Sequence, residues 1–426
     1  MKSKMWTIFI FMLTGAIAGC GESQSRKEIN AIEKNIAGKA AEQKGVEKSN
    51  DENAIVTAPA DSDKLVEQGA QYIERGMVSS GVEKLERAIV LGNVKAMLAL
   101  AKLYHDGKAI EPDSKKVFEL LKNAAQRDCP EAMALLAACY QKGLGVVADE
   151  EKASYWQDRA IDVGYAPLIL FLARKEYLAA RFEKIERAAA PTAKECASIK
   201  KVFFLLDKIK DIDNETFVEI NLLMGDIYME GVGLIASPEL GKSHYEKCIE
   251  RNSVLAMAKL GKAYCDGVKL KRDYDKGVEL IRKSQSRLKD NRETCEVLGK
   301  AYLDPEWKGF DINKGIEYLE KAVKLEDYDY PIKDTLYRLG MIYAFENREL
   351  SRFNRGVEFL KRAAAEDNGA AAYYLAVLYF NGDGVEKSLY ESSEYAEDAE
   401  RSLHASPKIQ DAARRLRLAI KTIRGY

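Results

Sequence analysis

The chain has 426 residues, more than one compact hydrophobic core usually holds, so its length predicts several domains or an array of repeats. It carries 66 Lys and Arg residues against 67 Asp and Glu residues. This balance provides no overall field that would attract nucleic acid, and it argues against a general DNA- or RNA-binding protein.

The first 19 residues have the pattern of a secretory signal peptide. Two lysines precede an apolar run that begins at residue 5 and is too short to cross a bilayer, which takes about 20 apolar residues. The run ends in Ile17-Ala18-Gly19-Cys20, which resembles the lipobox of bacterial lipoproteins. The resemblance implies that Cys20 is acylated and becomes the mature N-terminus. Because Gly21 follows rather than an aspartate, it also implies sorting to the outer membrane.

Residues 20–61 form the second predicted segment, a lipidated cysteine followed by a tether. After Gly21 the segment is rich in Ser, Glu, Lys, Asn and Asp and poor in aromatic residues, so it cannot bury enough apolar surface to order itself. A flexible coil of ~40 residues reaches roughly 35 Å. The tether would hold a folded body clear of the lipid headgroups.

From residue 62 onward, an apolar helix that ends in a tyrosine and leads into a glycine-containing loop recurs along the chain. Where adjacent copies are both clear, the tyrosines are 36, 36, 38, 41 and 36 residues apart. A Gly or Ala stands three positions before each tyrosine, which predicts a close approach of two helices. A second helix follows each loop, so the unit is helix, loop, helix. The marker tyrosines are Tyr104, Tyr140, Tyr228, Tyr264, Tyr302, Tyr343 and Tyr379.

The clearest loops carry Gly143-Leu144-Gly145-Val146 and Gly382-Asp383-Gly384-Val385. These copies resemble the Sel1-like repeat, a relative of the tetratricopeptide repeat with a longer loop, and the resemblance covers most of residues 62–400. It implies an all-α fold, a right-handed α-solenoid of helix-turn-helix repeats over residues 62–405. Each helix pair leaves an apolar stripe that the next pair covers. The hydrophobic core therefore extends along the array of repeats and does not need to be one large compact cluster.

Two segments depart from the repeat. At about residues 166–214 the chain is apolar and helical in character but lacks the glycine loop, so we expect irregularly packed helices there. Residues 406–426 open with Ser406-Pro407, a good cap and first-turn pair, and predict a C-terminal capping helix. Its expected buried face is Ile409, Ala412, Leu416, Ile420 and Ile423, and its expected outer face is Lys408, Arg414, Arg415, Arg417, Lys421 and Arg424.

The sequence offers little for catalysis or metal binding. Its three histidines, His105, His244 and His404, fall in different repeats without a second ligand at metal-site spacing, and no glycine pair leads into a phosphate-binding loop. Six cysteines follow Cys20, and they depart from the paired cysteines of the cysteine-rich branch of the Sel1-like family, so we interpret most of them as buried small hydrophobes. We predict no enzymatic activity, no cofactor and no metal.

A solenoid of helix pairs presents an extended inner surface, which suits a protein partner. The residue two positions before each marker tyrosine varies among copies while its neighbours stay apolar or small, as an exposed lining position would. We therefore predict a partner-binding groove that includes Lys102, Asp226, Lys262 and Lys300. The alternative for these lysines is an ordinary solvated helix surface.

Three functions are compatible with the sequence. The first is a scaffold or adaptor of the bacterial cell envelope, anchored to the outer membrane through its lipid and facing the periplasm, similar to the repeat lipoproteins of exopolysaccharide export. The second is an immunity or inhibitor lipoprotein that blocks a secreted antibacterial toxin. The third, a cell-wall or lactam-active enzyme, is disfavoured because no catalytic constellation is visible. The expected partners are thus an envelope-assembly protein or a toxin, and the membrane through the lipid, with no nucleic acid.

Overall fold

The computed structural model describes residues 58–185, 191–287, 291–325, 332–346 and 350–424. Within these residues the regular elements are nineteen α-helices and one π-helical turn at Ile342–Glu346, which confirms the all-α repeat fold. The predicted signal peptide, Cys20 and residues 21–57 of the tether lie outside the described residues. No helix in the described part of the chain is both long and apolar enough to cross a bilayer.

The chain divides into two compact units, one ending at Arg251 and the other beginning at Asn252. The first unit contains α1 (Ala58–Glu74), α2 (Val78–Val90), α3 (Val94–Asp106), α4 (Ser114–Ala125), α5 (Pro130–Lys142), α6 (Glu150–Asp162), α7 (Ala166–Ile185), α8 (Ala193–Asp207), α9 (Asn214–Glu230) and α10 (Pro238–Glu250). The second contains α11 (Val254–Asp266), α12 (Tyr274–Gln285), α13 (Arg292–Tyr302), α14 (Ile312–Lys324), α15 (Lys333–Met341), α16 (Leu350–Ala365), α17 (Gly369–Asn381), α18 (Leu389–Arg401) and α19 (Pro407–Arg424).

Each odd-numbered helix up to α17 packs against the even-numbered helix that follows it. One hydrogen bond recurs in six of the loops between paired helices. In each, the carbonyl oxygen of the marker tyrosine accepts from the backbone amide nine residues later. In the α9–α10 loop, Gly231 has φ +65° and a β-carbon there would lie 2.6 Å from the Ala236 nitrogen, so only glycine fits. The six hydrogen bonds have N···O distances of 2.9–3.2 Å. They join the carbonyl oxygen of the tyrosine to the later backbone amide in these pairs: Tyr104 with Asp113, Tyr140 with Asp149, Tyr228 with Ser237, Tyr264 with Asp273, Tyr302 with Asp311, and Tyr379 with Ser388.

In five of these six loops, all except the one that ends at Ser237, the residue that donates to the tyrosine carbonyl also caps the second helix through its side chain. Asp273 Oδ1 accepts from the Lys276 amide at 3.1 Å, and Asp311 Oδ1 accepts from the Lys314 amide at 3.1 Å. These backbone hydrogen bonds, together with the nearby ammonium groups of the same two lysines, lower the pKa of both aspartates. One aspartate thus fixes the loop through its backbone amide and caps the helix through its side chain.

Because the folded-state pKa of each capping aspartate is depressed, its contribution to stability is present above the unfolded pKa of about 3.9 and is lost as the pH falls through the lower folded value. We expect the double variant Asp273→Asn/Asp311→Asn, which keeps a capping side chain without its titration, to show a weaker fall of the urea midpoint of the second unit below pH 4. Equal pH profiles for variant and parent would contradict the assignment.

In four helix pairs the second helix approaches the first at a pair of glycines. A β-carbon on Gly241 of α10 would lie 3.0 Å from the Gly225 carbonyl oxygen and 2.9 Å from the Met229 nitrogen of α9. The close approach expected from the small residue before the tyrosine is therefore confirmed in these four copies, although only the first glycine of each pair was noted from the sequence. The glycine pairs, 16 residues apart, are Gly225 with Gly241, Gly261 with Gly277, Gly299 with Gly315, and Gly340 with Gly356.

The C-terminal helix differs in detail from its predicted faces. Ala413 and Ile420 are buried, but Ile423, in the last turn of the described helix, is 60% exposed. Arg414 is exposed, as predicted for the outer face, and forms an ion pair with Glu400 of α18. Arg417, also expected on the outer face, is partly buried and forms ion pairs with Glu397 and Glu400. The predicted faces of α19 were therefore wrong at Ile423 and Arg417.

Candidate functional site

A cleft of about 700 Å³ in the first unit is lined by the four consecutive helices α5, α6, α7 and α8. Two of them belong to the segment in which the repeat pattern lapses. α7 has 20 residues, whereas α5 before it has 13, and the α7–α8 pair lacks the glycine loop of its neighbours. The cleft is therefore formed where an irregular helix pair joins a regular one.

The start of α8 is set by a capping box. The Thr192 hydroxyl accepts from the Glu195 amide at 3.2 Å, and the Glu195 carboxylate accepts from the Thr192 amide at 3.1 Å. Two consecutive phenylalanines on this helix differ in their burial. Phe203 is 1% exposed in the core, whereas Phe204 is 57% exposed at the cleft.

The floor of the cleft is apolar. α5 contributes small alanines, and α7 contributes the buried Leu168 and the larger side chains of Phe171 and Leu172, which the neighbouring helices cover only in part. Phe204 stands beside this floor, with the ammonium nitrogen of Lys208 5.2 Å from its ring centroid. An apolar floor with an exposed aromatic side chain is typical of the centre of a binding surface. The apolar lining residues are Ala134, Ala137, Ala138, Ile161, Leu168, Phe171, Leu172, Phe204 and Leu205.

The charges of the cleft are divided between helices. The charged lining residues of α6 are all acidic, those of α8 are all basic, and α5 contributes none. Lys201 Nζ lies 2.5 Å from Glu176 Oε1, and Lys208 Nζ lies 3.5 Å from Asp162 Oδ1. Burial lowers the pKa of Lys175, which stands on the α7 side of the cleft. The charged lining residues are Glu150, Asp158 and Asp162 on α6, Lys175 and Glu176 on α7, and Lys201 and Lys208 on α8.

The four residues predicted to line a groove lie elsewhere, and each was chosen for its place two residues before a marker tyrosine. Lys102 is half-buried near Glu131; burial raises the pKa of this carboxyl, and the lysine charge opposes the rise. Asp226 Oδ1 accepts from the Tyr245 hydroxyl at 2.6 Å, and Lys262 Nζ lies 2.5 Å from Glu293 Oε1.

Lys300 is exposed near the end of α13. None of Lys102, Asp226, Lys262 and Lys300 lines the α5–α8 cleft, and partner binding by these residues stays a prediction.

The lining residues of the cleft were not predicted from the sequence. The segment at about residues 166–214 was predicted only to form irregularly packed helices. A signal was present in the lapse of the repeat, since a missing glycine loop marks a place where regular stacking stops. It did not indicate which apolar side chains would stay uncovered.

His244 and three of the cysteines are engaged in packing. His244 Nδ1 lies 2.9 Å from Asn221 Oδ1, and its ring stacks on Tyr228 with centroids 5.6 Å apart. Cys139, Cys248 and Cys265 are buried, and burial raises the pKa of their thiols to about 12. No group of three or more His, Cys, Asp or Glu side chains in the described residues is arranged to hold a metal ion.

Solved structures with similar helical arrangements include a protective antigen of uropathogenic Escherichia coli displaying an SLR fold, 17% identical, covering 85% of this chain and 88% of that one with a TM-score of 0.44. A Sel1 repeat protein from Oxalobacter formigenes is 14% identical and covers 97% of this chain and 100% of that one, with a TM-score of 0.37.

Chitin synthase regulatory factor 3 of Schizosaccharomyces pombe is 32% identical over 100 residues, which are 23% of this chain and 10% of that protein. The chain thus matches about a tenth of the length of this relative.

The Sel1 repeat model matches the chain seven times, at residues 94–129, 130–165, 221–253, 254–284, 298–327, 334–368 and 369–397. The matches leave out residues 166–220, which contain α7 and α8 of the cleft. They cover more than half of the sequence. The chain therefore belongs to the Sel1 repeat family.

Proposed function

We propose that the protein is a scaffold of the bacterial cell envelope, anchored to the outer membrane through acylated Cys20, that docks a partner protein in the α5–α8 cleft. Repeats of this family generally mediate protein–protein interactions, and the family is mostly non-enzymatic. The single observation that carries the docking site is the apolar floor of the cleft beside the exposed Phe204.

An exposed aromatic side chain at an apolar cleft is costly to leave in water. Burying a phenylalanine side chain contributes about 1.5–3 kcal/mol. Aromatic residues at the centre of an interface carry a large share of the binding energy, and a polar rim surrounds them. The charged side chains of α6 and α8 provide such a rim around Phe204 and the floor.

The docking proposal is tested by crosslinking and affinity capture of the tagged, lipidated protein from its native envelope, comparing Phe204→Glu with Tyr390→Glu. Tyr390 is an exposed aromatic residue of α18 in the second unit and provides the matched control. We expect captured envelope proteins to be lost with Phe204→Glu and retained with Tyr390→Glu. Equal capture by both variants would refute the site, and capture of a single secreted toxin would favour the immunity alternative.

The anchor is tested separately, because it depends on Cys20 alone. We expect Cys20→Ser to move the protein from the membrane fraction to the periplasmic fraction, since one residue with two or three acyl chains anchors a protein stably. If the variant remained wholly in the membrane fraction after removal of its signal peptide, as judged by its mass, acylation would not be the anchor.

A further inference from the structure

We propose that the α5–α8 cleft accepts an amphipathic helix of the partner protein that carries acidic residues on one flank and basic residues on the other. The inference rests on the docking function proposed above and names the chemistry of the partner. It follows from the division of charge between α6 and α8 and from the apolar floor between them.

The floor suits the apolar face of a helix. Buried alanines of α5 form the base of the cleft, and the partly buried Phe171 and Leu172 of α7 provide apolar contact. A helix laid in a groove buries residues spaced three and four apart, and the cleft volume of about 700 Å³ is ample for several such side chains. Phe204 lies at the edge of this floor, where it would close over the bound segment.

The charges determine what can flank that apolar face. Glu150 and Asp158 of α6 are exposed and attract basic side chains, whereas Lys201 of α8 is exposed and attracts acidic ones. A segment with acidic residues on both flanks would meet repulsion from α6, and one with basic residues on both flanks would meet repulsion from α8. A segment with one flank of each sign is attracted on both sides.

The ion pairs already present do not block such a segment. Lys201 pairs with Glu176 of α7, and the lysine side chain stays half exposed. Lys208 pairs with Asp162, whose side chain is largely exposed. Each pair thus keeps one accessible member, Lys201 in the first and Asp162 in the second, and an ion pair with an exposed member contributes little to stability. The charges of the cleft are thus available to orient a partner helix.

The test uses three synthetic helical peptides that share one stripe of Leu and Phe residues and differ only in their flanks: acidic and basic, all acidic, or all basic. Their affinities for the full-length protein in detergent are measured by fluorescence anisotropy at low salt. We expect the mixed peptide to bind roughly tenfold more tightly than either of the others, as two or three exposed ion pairs would provide.

Two charge reversals should move this preference in opposite directions. Lys201→Glu makes the cleft more acidic, and we expect it to favour the all-basic peptide, whereas Asp158→Lys should favour the all-acidic one. Lys115→Glu is the control, because it makes the same charge change as Lys201→Glu at an exposed lysine that does not line the cleft. It should leave the order of the three peptides unchanged.

The outcomes separate this inference from the proposed function. If the mixed peptide is preferred and the two reversals shift the preference as stated, the inference is supported. If all three peptides bind equally, and Phe204→Glu abolishes their binding while the charge reversals do not change it, the cleft is a docking site but its charges do not select the partner. If no peptide binds, the amphipathic-helix inference is overturned, and the docking site is then decided by the capture experiment with Phe204→Glu and Tyr390→Glu.

Discussion

Replacing Phe203 by alanine is expected to lower the free energy of unfolding of the first unit by about 3–5 kcal/mol, as large-to-small changes in a packed core do. The Phe203 side chain is 1% exposed and packs among Ile199, Leu206 and residues of α9, with the Tyr228 ring centroid 6.5 Å away. The cavity left behind has rigid neighbours on several helices, so it cannot collapse without cost.

The same change at the next residue provides the matched control. Phe204→Ala removes a side chain that is 57% exposed, so we expect the free energy of unfolding to change by no more than about 1 kcal/mol. Partner capture and peptide binding should instead be lost. Urea unfolding and the binding assays on both variants separate the two roles. Equal destabilisation by both changes would mean that Phe204 is a core residue, and the cleft would lose its main support.

The repeating architecture could be predicted from the sequence because its determinants are local. A marker tyrosine, a glycine loop and a capping aspartate or serine occur within nine residues, and a hydrogen bond joins the ends of that segment. In four copies the glycine before the tyrosine has its partner glycine in the following helix, again at fixed spacing. Such short-range patterns recur in the sequence and can be read by comparing copies.

The cleft could not be predicted in the same way, because it depends on where helices distant in the chain stop covering one another. Phe203 and Phe204 belong to one apolar run, and periodicity within that run does not distinguish the core residue from the exposed one. Ile423 shows the same limit at the end of the array, where an apolar residue with the spacing of a buried face is exposed. Whether an apolar residue outside the regular repeat is buried depends on how neighbouring helices pack against it, and the local sequence does not determine this packing.

The second large effect is expected at a glycine pair. Replacing Gly241 by valine should lower the free energy of unfolding of the α9–α10 pair by about 3 kcal/mol, as overpacking of a close contact does. A β-carbon at this position already lies 2.9 Å from the Met229 nitrogen and 3.0 Å from the Gly225 carbonyl oxygen. Both are backbone atoms of α9, so no side-chain rotation relieves the overlap, and the two helices must separate.

Glu246→Val is the control, because Glu246 is an exposed residue of the same helix and acquires the same side chain. We expect its unfolding free energy to stay within about 0.5 kcal/mol of the parent value. Hydrogen exchange adds a local readout, since a repeat contacts mainly its neighbours and damage to one pair should spread little. Protection should fall in α9 and α10 of the Gly241→Val variant and persist in α1 and α2. Unchanged protection in α9 and α10 would show that the helices tolerate a wider separation, and the glycine pairs would then not be required for stacking.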